Sequence, residues 1–276
     1  MRPHACRHRA AIAVLLVMPF AAAACGGGGE SNSSSPPVVS NLAPAAYVKH
    51  SARQTAKATS VHMTMKAAVN AAGQQATITG SGDFDQPNHV GSMHADFSAG
   101  GMSGSIDEVI SGTTVYLSSP LFSAALPQGK TWLKLDLQKA GKAHGIDFST
   151  LLSQSPSRSL GQLRGLVNVK KVGTEQVGGT ATTHYRGHID LSKVPQGAKL
   201  EKLTHATYTP FDIWVGNDDG YIRRLRFGVA TASGGNSVNA VMTMEFSDFG
   251  KTVHVTEPPA SEVYDATNLA IPGLGH

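Results

Sequence analysis

Through most of this chain apolar residues fall at every second position, and no other feature constrains its fold as much. In VHMTMKAAV, Val61, Met63, Met65, Ala67 and Val69 alternate with His62, Thr64, Lys66, Ala68 and Asn70. A period of two puts one set on one face of a strand and the other set on the opposite face. The pattern recurs in segment after segment. Ile78 and Phe84 share a face with Gly80 and Gly82, as do Met93, Ala95 and Phe97, and then Leu133, Leu135 and Leu137. Later come Tyr185, Ile189 and Leu191, then Phe211, Ile213 and Val215, then Leu225, Phe227 and Val229, and last Val238, Ala240, Met242, Met244 and Phe246. Turn residues separate the runs: Gly73, Gln86-Pro87-Asn88, Gly178-Gly179 and Asn217-Asp218-Asp219-Gly220. The last of these fits a tight hairpin, because Asp-Gly accepts the positive φ the turn requires. The expectation is a long antiparallel sheet with one polar and one apolar face, and the apolar face must be covered.

Two stretches differ in texture. Leu42 to Thr59 predicts one helix, rich in Ala, Lys, Arg and Gln, with a thin apolar face of Ala46, Val48 and Ala52. Ile146 to Leu166 carries Phe148, Leu151, Leu152, Leu160 and Leu163 at helical spacings, and Pro156 divides it into two short helices. A further helical turn is expected within Leu191 to Leu203. The fold class is therefore α+β: an antiparallel sheet curled over a few helices, an arrangement with room for an apolar cavity between them.

The first residues do not belong to that fold. Arg2, Arg7 and Arg9 precede an apolar run, Ala10 to Phe20, and the small residues Ala21 to Ala24. That order is an export signal, and the run is too short to span a bilayer, which takes roughly 20 residues. Cys25 follows at once, and after it a Gly/Ser/Pro tract. The arrangement fits a lipoprotein signal, cleaved before Cys25 and acylated on its sulfur. It also fits a plain Ala-x-Ala cut, since Ala22 stands where a lipobox usually has Leu. The flexible tract favours the lipoprotein, because an anchored domain needs a tether. The organisation expected is a signal peptide over 1–24, a lipidated Cys25 with linker over 25–41, and a single domain over 42–276.

This reading resolves the charge and cysteine counts. Of the 23 Lys and Arg, three belong to the signal, which leaves 20 against 19 Asp and Glu. The basic pI is then mostly the signal's, and a nucleic-acid partner has no electrostatic footprint. Cys6 is lost with the signal, and Cys25 is taken by the lipid. The domain has no disulfide to staple it and must rely on an ordinary core.

Catalytic and metal chemistry finds no constellation. His184 and His188 are four apart, but in a strand that separates them by roughly 13 Å, too far for one metal. The other His are scattered and read as solvent-facing. Gly101-Met102-Ser103-Gly104-Ser105 lacks the closing Gly of a nucleophile elbow and reads as a Gly/Ser loop. Asp83 with Asp85, and Asp218 with Asp219, read as turn residues. Arg223, Arg224 and Arg226 read as a solvated edge able to touch anionic headgroups. No cofactor is implied, and no enzymatic activity.

The six Met outside the signal, Met63, Met65, Met93, Met102, Met242 and Met244, all lie in or beside strands. Thioethers are flexible and suit surfaces that adapt to varied apolar ligands. Met on an apolar strand face is more often plain core, and composition alone favours core.

Four segments carry a family resemblance: VYLSSPLFSAALPQGKTWLKLDL (115–137), GGTATTHYRGHIDL (178–191), DIWVGNDDGYIRRLRF (212–227) and FSDFGKTVHVTEPPASEVYD (246–265). In order and spacing the chain resembles the actinobacterial LppX/LprAFG-type lipoproteins. The resemblance implies a half-barrel like that of the LolA and LolB lipoprotein carriers, with acyl chains held between sheet and helices. The expected function is a lipid-anchored extracytoplasmic protein at the cell membrane. It would bind a lipid or glycolipid and carry it in the cell envelope, with an envelope transporter as a partner. The expected cavity lining is Met63, Met65, Ile78, Met93, Phe97, Leu133, Leu135, Phe211, Ile213, Leu225, Phe227, Met242 and Met244. The alternative is a tethered structural or signalling module, its core fully packed, that binds an envelope protein.

Overall fold

The computed structural model describes residues 42–71, 74–123, 125–139, 165–193, 201, 206–233 and 236–267. Cys25, the signal, the linker and the helices expected over 146–164 lie outside these residues.

One helix opens the described fold. Helix α1 runs Pro44–Thr55, shorter at both ends than the sequence pattern predicts. Its start is set by Pro44, whose missing N–H and fixed φ suit the first helical position. Val48 and Ser51 on this helix are fully buried, and Tyr47 and Ala52 pack beside them. Ala46, expected on the apolar face, is exposed instead, because the buried stripe follows Val48, Ser51 and Ala52 around the helix.

Twelve strands form a single open sheet. In chain order they are β1 Ser60–Ala71, β2 Gln74–Asp85, β3 Val90–Ala99, β4 Met102–Ser111, β5 Thr114–Ser118, β6 Trp132–Asp136, β7 Leu166–Val177, β8 Thr180–Asp190, β9 Tyr208–Gly216, β10 Ile222–Ser233, β11 Asn236–Ser247 and β12 Val263–Asp265. Across the sheet the order is β12-β6-β5-β4-β3-β2-β1-β11-β10-β9-β8-β7. Every pairing is antiparallel except that of β12 with β6. The chain meanders outward from β1 to β6 and returns at the far edge, so β1 and β11 meet in the middle of the sheet. A short helix α2, Pro120–Ser123, leads out of β5, and 3-10 turns occupy Leu191–Lys193 and Ala260–Glu262. This open sheet with few helices is the α+β half-barrel class.

The alternation located most strands, but two places depart from it. Gly101 to Ser105, read as a loop, contains the start of β4: Gly100 and Gly101, both at positive φ, make a two-residue hairpin, and pairing resumes at Met102 with Ala99. Leu166, counted with the expected helices, begins β7 opposite Ile189.

Glycines let rings lie flat on the sheet. A Cβ on Gly91, Gly104 or Gly187 would fall 2.5, 2.7 or 2.9 Å from the ring of Phe84, Phe97 or Phe211. Each of these glycines is the direct cross-strand partner of its phenylalanine. Any larger residue would force the ring out of its rotamer and off its neighbours.

Candidate functional site

Registers between neighbouring strands turn the alternation into continuous apolar rows on one face. The first row runs Phe246, Met63, Gly82, Met93, Glu108, Leu117, Leu133, from β11 to β6. The second runs Tyr185, Ile213, Leu225, Met244, Met65, Gly80, Ala95, from β8 to β3. In the third, Gly187, Phe211, Phe227, Met242, Ala67, Ile78, Phe97 and Gly104 follow one another from β8 to β4. The fourth passes through Val61, Phe84, Gly91, Ile110, Val115 and Leu135. All thirteen residues expected to line a cavity stand on these rows, and so on the same face. This face is called inner below.

The inner face carries two packed clusters. One joins Val61, Met63, Met65, Phe84, Met93, Ile110, Val115 and Met244, with Ile78, Met242 and Phe246 half-buried against it. The other joins Val48 of α1 to Leu166, Tyr185, Phe211, Ile213, Val215 and Ile222. Leu225 and Phe227 touch both clusters. Phe211 and Ile213 therefore belong to the cluster that includes the helix, while the methionines belong to the other. Leu133 and Leu135 are half-buried on β6, and Phe97 lies over Gly104. Met102 is 55% exposed at the start of β4.

Helix α1 is held over its half of the face by polar bonds as well. Gln54 Nε2 donates to the Asp219 carbonyl at 2.6 Å, and the Ile222 N–H donates to Thr55 Oγ1 at 2.9 Å. Both partners lie at the β9–β10 hairpin. The Asn217–Gly220 turn closes that hairpin, with Gly220 at φ 69°.

The outer face is polar and carries cross-strand imidazole–carboxylate pairs. His62 Nδ1 lies 2.7 Å from Asp83 Oδ1, and His94 Nδ1 lies 2.6 Å from Asp107 Oδ1. The hydrogen bond to Asp107 raises the pKa of His94. His184 departs from the expectation that the histidines face solvent. It is buried, stacks on Trp214 with ring centroids 4.2 Å apart, and meets Asp212 at 2.7 Å and Glu175 at 3.3 Å. Only tertiary pairing could reveal this, since β8 and β9 supply the two rings.

Of the three arginines read as a solvated edge, Arg226 is exposed as expected, and the other two are not. Arg224 lies over the Trp214 ring at 5.2 Å and pairs with Glu245, while Arg223 pairs with Asp219 and covers Phe249. The carboxylates weighed as pairs are separately employed: Asp83 holds His62, and Asp85 accepts from the N–H and side-chain amide of Asn88. A cleft of about 410 Å³ opens on the outer face, lined by Pro210, Asp212, Arg226, Gly228 and Val241 among others. It touches none of the methionines.

One inner-face residue escaped the sequence reading. Glu108 lies in the first row between Met93 and Leu117, is 7% exposed, and has its pKa pushed up to about 7 by burial. The signal was present in Ile106-x-Glu108-x-Ile110, where the carboxylate takes an apolar turn of the alternation. Among the described residues, no helix is long and apolar enough to cross a membrane.

Comparison with known proteins gives a family match to most of the chain. The profile of the LppX_LprAFG lipoprotein family matches residues 43–255. An uncharacterised 31.2 kDa protein of Streptomyces griseus, from the rplA-rplJ intergenic region, is 30% identical over 158 residues, which is 51% of this chain and 50% of that protein. The chain spans about half the length of the curated relatives it matches. Among solved structures, the Mycobacterium tuberculosis lipoprotein LppX is similar at 17% identity and TM-score 0.44, covering 77% of this chain and 97% of LppX. LprF of Mycobacterium bovis is similar at 16% identity and TM-score 0.48, covering 78% of this chain and 96% of LprF.

Proposed function

This chain belongs to the LppX_LprAFG lipoprotein family, and on that premise we propose that its inner face binds the acyl chains of a lipid or glycolipid, as a carrier in the cell envelope. The observation that carries the reading is the part of the four apolar rows that lies outside the α1 cluster, with four of the methionines at the centre of the sheet. Met65 faces Met244 directly across the β1–β11 pairing, Ala67 faces Met242, and Met63 faces Phe246. Thioether side chains re-pack around apolar partners of varied shape, which suits a ligand whose chains differ in length and saturation. Burying each methylene of such a chain contributes roughly 0.8 kcal/mol, so a single chain supplies ample driving force.

The anchor is a separate element of the proposal. Cys25, acylated, would hold the protein on the extracytoplasmic side of the membrane, and residues 26–41 would let the sheet reach lipid. An envelope transporter would supply or receive the cargo. Cys25→Ala is then expected to release the protein to the medium, because stable retention needs at least two anchoring signals. A variant that stays in the membrane fraction would contradict the acylation.

Native mass spectrometry of the unlipidated chain tests the binding. The expected result is a mass increment from co-purified lipid, exchangeable for added phospholipid or glycolipid. A bare protein mass that takes up neither would overturn the reading.

A further inference from the structure

Glu108 is an ionisable side chain in an otherwise apolar row. The register sets it opposite Met93 on β3 and Leu117 on β5. Beyond those, the row continues through Gly82, Met63 and Phe246 on one side and Leu133 on the other. With 7% exposure it is more than nine-tenths buried, and no hydrogen bond or ion pair reaches its carboxyl among the described residues. Nothing charged or titratable faces it from the flanking strands. The inner positions of β3 are Gly91, Met93, Ala95 and Phe97, and those of β5 are Val115 and Leu117. Helix α2, packed against β4, is Pro-Leu-Phe-Ser.

The carboxyl is not sealed off, since the fully enclosed unpartnered side-chain atoms among the described residues lie elsewhere, at Ser51, Gln86, Trp214 and Arg223; but a carboxyl with so little solvent and no protein partner in an apolar row calls for an explanation. Packing alone would be served better by Leu at this position. An ionised carboxylate is heavily penalised in such surroundings, and burial pushes the pKa up to about 7. Near neutral pH and below, the side chain is then available as a neutral acid, with one O–H donor and acceptor capacity besides. A hydrocarbon chain offers it nothing. The ester carbonyl or hydroxyl where an acyl chain joins its headgroup offers both an acceptor and a donor.

We propose that Glu108 hydrogen-bonds the ester carbonyl or neighbouring hydroxyl of the bound lipid, so that the inner face selects acyl esters over plain hydrocarbon. The proposal rests on the lipid-binding reading above and sharpens it. It places the polar end of the ligand over β4, between Met93 and Leu117. The acyl chain then lies along the first row toward Met63 and Phe246, a path of about 19 Å at ~4.8 Å per strand.

The test uses the full chain carrying Cys25→Ser, so that no covalent acyl chain competes. Two probes are titrated from detergent micelles and read by native mass spectrometry: dioleoylglycerol, an ester with a free hydroxyl, and squalene, a hydrocarbon. Glu108→Leu should weaken dioleoylglycerol binding about five- to tenfold, the scale of one lost hydrogen bond, and leave squalene unchanged or tighter. Glu108→Gln, which keeps a donor and an acceptor, should stay within about twofold of the parent. Raising the pH from 6 to 8.5 should weaken dioleoylglycerol binding by the parent, as the acid ionises, and leave the Gln variant flat. Unchanged dioleoylglycerol binding by Glu108→Leu, or an equal loss for both probes, would overturn the proposal. If the parent binds neither probe, the lipid-binding reading itself fails, and this proposal with it.

Discussion

The two halves of the inner face are built from the same alternation and end up differently furnished. On β8 to β10 the apolar residues are branched or aromatic, Tyr185, Phe211, Ile213, Val215 and Ile222, and α1 packs onto them with Val48 fully buried. On β1 to β3 and β11 the cluster adds to Val61 and Phe84 four methionines, Met63, Met65, Met93 and Met244, beside Gly80 and Gly82, and α1 is no part of it. Stiff side chains under a helix of the same chain make a fixed core. Flexible thioethers beside glycines make a face that can conform to something supplied from outside. On the function proposed above, one half of the sheet holds the fold together, and the other, whose four methionines are buried in the described structure, re-packs to admit a ligand.

The largest expected effect is on the helix-covered half. Phe211→Ala removes a ring buried against Gly187 and Phe227, and should cost about 3–5 kcal/mol in denaturant unfolding. Lipid uptake per folded molecule should remain. If uptake disappears while the fold survives, the division into two halves is wrong.

Next in size is Glu108, in the other half. Its folded pKa of about 7 lies above the ordinary 4.5. The folded state therefore holds the proton more tightly, and the chain is most stable below the unfolded value. Stability falls as pH rises from about 4.5 through about 7, by about 3 kcal/mol in all. Glu108→Gln should flatten that slope, and melts at pH 5 and pH 8 check it. A parent protein whose stability does not fall between those values would place the carboxyl in water rather than in the apolar row.

A smaller loss, about 1 kcal/mol, is expected from Thr55→Val, which deletes the hydroxyl that accepts from the Ile222 N–H. This measures how firmly α1 is fastened to its half. Met65→Leu keeps volume and should change stability by no more than about 1.5 kcal/mol in either direction. Its consequence should instead be a narrower range of acyl chains bound, read by competition among lipids of different saturation.

The strands were legible because a half-buried sheet writes its faces into the sequence at period two. That period put Met63 with Met65 on one face of their strand and Met242 with Met244 on one face of theirs, and the β1–β11 register makes the two faces one. Four strands were not singled out. In β4 the run Met102-Ser103-Gly104-Ser105 carries too few large residues to show a period, and its glycine is there because the Phe97 ring occupies the space. β7 contains bulges that break the alternation near Asn168 and Lys171, while β5 and β12 are five and three residues long. The split of the face into two clusters was not legible at all. It depends on where α1 docks, and that is decided by the bonds of Gln54 and Thr55 to a hairpin more than 160 residues away. His184 was missed for the same reason: its burial comes from Trp214 on another strand, and nothing in its own neighbourhood announces it.

On the function proposed here, the methionine-rich half, and not the helix-covered half, meets the lipid. A diacylglycerol with a diazirine near the middle of one acyl chain, photolysed in complex with the protein and mapped by peptide mass spectrometry, tests this directly. Adducts are expected on β1, β3 and β11, at or beside Met63, Met65, Met93 and Met244, with β8 and β9 left unlabelled. Labelling confined to β8 and β9, or to the outer face around Trp214, would contradict that reading.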